Sequence, residues 1–152
     1  MITKFVKSMG YALKGIWTGI KEERNVRIDI VAAFYVMLFS KFYDFTLTQK
    51  VILVLVCFNV IAFELMNTSV ERAVDKPDKE HYIQAGAAKD TAAGGVLLAA
   101  IGAAIAGVIL FWDVKVFKEI FCFFAGRPIM IIGFAVTLVA SYKFITLDNN
   151  KK

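Results

Sequence analysis

Glu64, Asn67, Glu71 and Asp75 lie at the end of a long apolar run that begins at Val51. At 100° per residue they share one side of a helix, within a wedge of roughly 80°. Placing an acid in a membrane-spanning helix costs about 2.5–3.5 kcal/mol. A chain keeps such residues where they bind something. Carboxylates with an amide are hard oxygen donors and suit a cation such as Mg²⁺. The other reading of the same stripe is a polar seam that holds helices together.

Further groups with chemical capacity flank this stripe. Glu23 sits in the charged knot from Lys21 to Asp29, and Lys89 and Asp90 precede another apolar block. Several carboxylates with one lysine suit a metal–polyphosphate substrate, because Mg²⁺ takes only one or two carboxylates beside phosphate oxygens. A carboxylate left over can act as base on an alcohol. A lysine can neutralise charge on a transferring phosphoryl group. The sequence has no G-x-x-x-x-G-K-[ST] loop and no H-R-D or D-F-G set. The residues alone therefore leave ATP use as one option beside a non-enzymatic or ion-conducting membrane protein, in which acids line a pathway.

The elements that position these groups are membrane elements. The 152 residues suit one domain. Hydrophobic residues make up 59%, above the roughly 45–50% of soluble domains, and they come in blocks. The net charge of +5 is concentrated toward the N-terminus, which suits an anionic membrane surface and not nucleic acid. Cys57 and Cys122 lack metal-ligand spacing and read as small buried hydrophobes. Lysines scattered through the N-terminus exclude a secretory signal.

Ile2, Phe5, Val6, Met9, Leu13, Ile16 and Ile20 repeat with helical period, while Lys4, Lys7, Lys14 and Lys21 lie opposite. Residues 1–22 are thus expected to form an amphipathic helix in the headgroup layer, with Tyr11 and Trp17 as interfacial aromatics. Residues 28–43 read as a first span, followed by a polar turn over 44–50. A second span from about Val51 to beyond Met66 carries the acidic stripe into a charged loop with the only histidine, His81. The third span runs from Thr91 to Trp112. Its Thr91, Gly95, Ala99, Ala103 and Gly107 recur every fourth residue, a helix-packing signal. Residues 113–127 read as a connector with an interfacial helix, and Pro128 opens a fourth span over 129–145.

Six Lys/Arg precede the first span and four lie between the second and third, counting Lys89, against two after the first. The positive-inside rule puts the acidic end in the cytoplasm. The expectation is an all-α integral membrane bundle in one domain, 1–152. It comprises a surface helix at 1–22, a three-span core at 28–112 and an extra transmembrane helix at 128–146.

Four stretches then resemble a family, the integral-membrane prokaryotic diacylglycerol kinases and their Gram-positive undecaprenol kinase relatives. They are Gly10-Tyr11-Ala-Leu-Lys14-Gly15, Glu23-Arg-Asn25-Val-Arg27-Ile28, Glu64-Leu-Met-Asn67-Thr-Ser-Val-Glu71-Arg-Ala-Val-Asp75 and Ala88-Lys89-Asp90-Thr-Ala-Ala-Gly94. The resemblance covers about Lys4 to Phe111. It implies a homotrimer in the bacterial cytoplasmic membrane that moves the ATP γ-phosphoryl group to a lipid hydroxyl with Mg²⁺. It implies that Glu64 is the general base, that Asn67 and Lys89 are essential to the site, and that Glu23 and Glu71 bind the metal. Along the nucleotide it puts Lys4, Tyr11, Glu23, Glu71, Glu80, His81, Tyr82, Lys89 and Asp90. Lys14 and Trp17, with Glu64, are implied at the lipid. Asp29 departs from the histidine frequent in Gram-positive relatives, and Lys4 stands where the pattern can show Arg. Residues beyond Asp113 have no counterpart in the three-span core. The E-R-N-x-R-I signature points to undecaprenol as substrate, with diacylglycerol as the alternative.

Overall fold

The computed structural model describes residues 2–75 and 82–147, and of residues 82 and 83 only the backbone. Every regular element among the described residues is helical. Helix α1 (Ile2–Glu22) is followed after one residue by α2 (Arg24–Phe39) and a 3₁₀ turn (Ser40–Phe42). Then come α3 (Leu47–Val74), α4 (Tyr82–Phe111), α5 (Val114–Ala125) and α6 (Pro128–Ile145).

Local chemistry sets several of these boundaries. Thr46 caps α3 through a capping box, with Thr46 Oγ1 accepting from the Gln49 amide and Gln49 Oε1 accepting from the Thr46 amide. Asp113 caps α5 by accepting from the Lys115 amide. Pro128 occupies the first turn of α6, where a missing N–H costs nothing.

The centre of the bundle is the antiparallel hairpin α3–α4, with α2 laid along α3 and α6 along α2. Its best-buried apolar cluster lies at the end where α3 begins and α4 ends. Tyr43, Phe45 and Leu53 are buried there, and the Tyr43 hydroxyl donates to the Phe111 carbonyl at 2.8 Å. Phe45 is thus inside the structure, within a segment whose charged neighbours suggested a purely polar turn.

Helices α3, α6 and the Gln84–Phe111 part of α4 are long and apolar enough to cross a membrane. The expected first span corresponds to α2, which starts at Arg24, four residues early, and has only 16 residues. At 1.5 Å per residue it extends about 24 Å, and the 3₁₀ turn brings it to roughly the 30 Å of a hydrocarbon core. Helix α4 begins at Tyr82, so Lys89 and Asp90 lie two turns inside a helix and not at its opening. The connector does contain a helix, α5. Cys122 on it is exposed, contrary to the expectation of burial, because it lies on the side of α5 opposite the half-buried Ile120 and Phe124; Cys57 is half-buried.

Candidate active site

The acidic stripe lies at the C-terminal end of α3 and faces the other helices. Glu64 is 5% exposed, Asn67 8% and Thr68 6%. Glu71 is half-buried one turn further on, and Asp75 forms the C-cap. Burying a carboxylate is costly without a partner, and none of the described ion pairs involves Glu64. Its recorded charged neighbour is another acid, Asp29 on the facing turn of α2.

Asn67 Nδ2 donates to Glu71 Oε1 at 3.0 Å, the i, i+4 geometry of one helix face. Asn67 Oδ1 is buried and has no hydrogen-bond partner. A native structure rarely leaves such an oxygen unsatisfied unless something else fills the position. This oxygen and the free lone pairs of the Glu71 carboxylate form a hard, oxygen-only donor set of the kind Mg²⁺ takes. No group of three His, Cys, Asp or Glu among the described residues is close enough to form a closed metal cage.

Glu23 approaches α3 from a different element. It is the single non-helical residue between α1 and α2, with extended backbone. Arg72 Nη2 on α3 lies 2.7 Å from Glu23 Oε1 and 3.1 Å from Glu22 Oε2. The α1–α2 break is therefore tied to α3 by a cation that sequence reasoning did not single out, although it follows Glu71 in the chain. Lys89 Nζ contacts Asp75 Oδ1 at 2.6 Å, which joins α4 to the end of α3. Asp90 is exposed next to it.

Helix α1 crosses α3 at Gly19, its one buried residue. A Cβ there would meet the tip of the Leu65 side chain, which would have to turn aside, so the close approach suits a small residue. Between the two helices lies a hollow of about 470 Å³ bordered by Tyr11, Lys14, Gly15, Thr68, Ser69 and Arg72. Tyr11 and Lys14 thus border the face of α3 next to the stripe, at Thr68, Ser69 and Arg72. Trp17 is exposed on α1, and Lys4 lies two turns before Tyr11, also exposed. Glu80 and His81 lie outside the described residues, as does the side chain of Tyr82.

The sequence that builds these elements resembles that of known proteins. The profile described as "Prokaryotic diacylglycerol kinase" matches residues 10–111. This chain belongs to that family. It is 33% identical to the undecaprenol kinase of Bacillus subtilis (strain 168) over 110 residues, 72% of this chain and 89% of the relative. It is 30% identical to the diacylglycerol kinase of Escherichia coli (strain K12) over 111 residues, 73% of this chain and 91% of the relative. The matched region contains α2 to α4 and most of α1. Helices α5 and α6 lie beyond it.

Proposed function

We propose that this chain is an Mg-ATP-dependent kinase that phosphorylates the hydroxyl of undecaprenol at the cytoplasmic leaflet. The observation that carries the reading is the buried Glu64, unpaired by any described cation, beside Asn67 with its unsatisfied oxygen. A carboxylate in that setting can take the proton of a lipid hydroxyl. Glu71 and Glu23 offer oxygens to Mg²⁺, with Asn67 orienting Glu71. When bound, the ion neutralises charge on the nucleotide phosphates. Lys89 supplies positive charge at the same end, and the nucleotide lies along Lys4, Tyr11, Glu80, His81, Tyr82, Lys89 and Asp90. The hollow between α1 and α3, bordered by Lys14 and by Thr68 next to Asn67, offers the lipid head a place to lie, with Trp17 at the headgroup layer.

The likeness to an undecaprenol kinase and the E-R-N-x-R-I signature support undecaprenol as substrate. Diacylglycerol is the second reading, supported by the likeness to diacylglycerol kinases. In either case the active unit is a homotrimer. Leu97, Leu98, Ile101 and Ile105 are exposed along α4 and call for lipid or partner helices.

Purified protein should be given Mg-ATP with undecaprenol and diacylglycerol, side by side. Faster phosphorylation of undecaprenol is expected. Preference for diacylglycerol would overturn the choice of lipid, and phosphorylation of neither would return the acids to the ion-pathway reading.

A further inference from the structure

At the end of the bundle opposite Glu64, α5 and α6 close a cavity of about 570 Å³ against the end of α2. That is the size of a ligand pocket. Its walls are aromatic and aliphatic, with Phe39, Phe42, Phe123, Phe134 and Met130 prominent. The rings brace one another and so hold the space open. Phe42 and Phe123 meet edge to face at 5.2 Å, and Phe39 and Phe134 at 5.8 Å. The one polar uncharged wall residue, Thr137, has its hydroxyl engaged by the Phe134 carbonyl and the Tyr35 hydroxyl. Water would find few partners inside, so an apolar occupant is favoured.

Charge marks the rim. Lys41 is the only ionisable wall residue. The Arg127 guanidinium carbon lies 4.5 Å above the ring of Phe123, another wall residue. Neither cation belongs to a described ion pair. The acids nearby in the chain, Asp44, Asp113 and Glu119, do not line the cavity, and Lys115 and Lys118 on α5 add positive charge.

We propose that this cavity is an accessory site for an anionic phospholipid, with an acyl chain among the phenylalanines and the phosphate between Lys41 and Arg127. An apolar chamber with two cations at its mouth complements such a lipid in both parts. The site is separate from the kinase site, being at the other end of the helices. Part of its wall lies outside the family-matched region.

The test is native mass spectrometry of the full chain in detergent, titrated with phosphatidylglycerol and with phosphatidylcholine of the same acyl chains. Wild-type protein should retain phosphatidylglycerol at least about fivefold more tightly, since each cation near a headgroup contributes about that factor. The Lys41→Gln/Arg127→Gln double variant should lose the preference and still hold phosphatidylcholine. A Cβ added at Gly133, a wall residue, meets nothing within 4 Å. Gly133→Leu should therefore grow into the cavity and weaken both lipids. Equal retention of the two lipids by wild type, or no change in the double variant, overturns the proposal. A change of oligomeric state in Gly133→Leu without lipid loss assigns the cavity to a second copy and also overturns it. Should Gly133→Leu fail to fold, the double variant alone decides.

Discussion

Arg27 Nε donates to the Ile145 carbonyl at 3.2 Å, joining residues 118 positions apart. The same guanidinium reaches the Ile20 and Lys21 carbonyls at 3.1 and 2.9 Å, and the Leu147 carbonyl at 3.4 Å. One buried cation thus satisfies the last carbonyls of α1 and closes the end of α6, where partial negative charge accumulates. Only the planar fork of arginine can serve both ends, because lysine is a point charge. Arg27→Met should cost roughly 3 kcal/mol of stability, the scale of several hydrogen bonds to a charged donor. Arg27→Lys should recover part of it. Thermal denaturation in detergent reads both, and an unchanged midpoint for the Met variant would remove the cap from the account.

Glu64 has the most to lose from a neutral replacement. If it takes the proton from the lipid hydroxyl, Glu64→Gln should lower turnover by roughly 10²–10⁴, the usual weight of general-base catalysis. Nucleotide affinity should barely move, since the residue acts on the other substrate. Turnover near wild type would take Glu64 out of the chemistry.

The ion pair of Arg72 with Glu23 gives the metal reading a two-sided test. Glu23→Gln and Glu71→Gln should each raise the Mg²⁺ concentration needed for half-maximal turnover, because each removes an anionic oxygen. Arg72→Ala should lower that concentration, since it releases Glu23 from a competing cation 2.7 Å away. The pair is part-exposed, so its loss should cost under about 1 kcal/mol of stability. A Mg²⁺ requirement that is the same in all three variants contradicts the shared site.

Gly19 tests whether α1 must lie on α3. Gly19→Ala should be tolerated, because the clashing Leu65 side chain can turn aside. Gly19→Leu should lift α1 and open the hollow beside Tyr11 and Lys14, raising KM for the lipid more than it lowers kcat. Equal kinetics for both variants would show that the helix contact is dispensable.

What the sequence made legible follows from its periodicities. Glu64, Asn67 and Glu71 share a face because the helix repeat is fixed, and the structure turns that face inward. The Lys89–Asp75 contact was within reach, since a short loop must return α4 beside the end of α3. Arg27, Arg72 and Gly19 were not singled out, because each acts on an element distant in sequence and a cation in a charged knot looks solvated. The span expected at 28–43 begins four residues inside the helix, because the charges up to Asp29 look interfacial in sequence, whereas Asp29 lies within α2 and faces Glu64.

The last helix has a direction that can be tested. Tyr35 bonds Thr137 and Ser141 across α2–α6, and Phe39 meets Phe134. With Arg27 on Ile145, these contacts run antiparallel and bring the end of α6 beside the start of α2. Helix α6 has 18 residues, about 27 Å, close to the hydrocarbon thickness, and Lys143 can snorkel from its last turn. Among the described residues its main contacts are with α2 and α5, so truncation after Asp113 should reduce stability or trimer yield and leave Mg-ATP chemistry in the surviving protein. The expected side is the cytoplasm, for residue 147 as for the tail to Lys152, which lies outside the described residues. Leu147→Cys and Lys152→Cys should be made separately in a background lacking Cys57 and Cys122. A membrane-impermeant thiol reagent should leave both unlabelled in intact cells and label them after lysis. Labelling of residue 152 in intact cells would put the tail outside, and labelling of residue 147 would carry Arg27 and the acidic stripe with it.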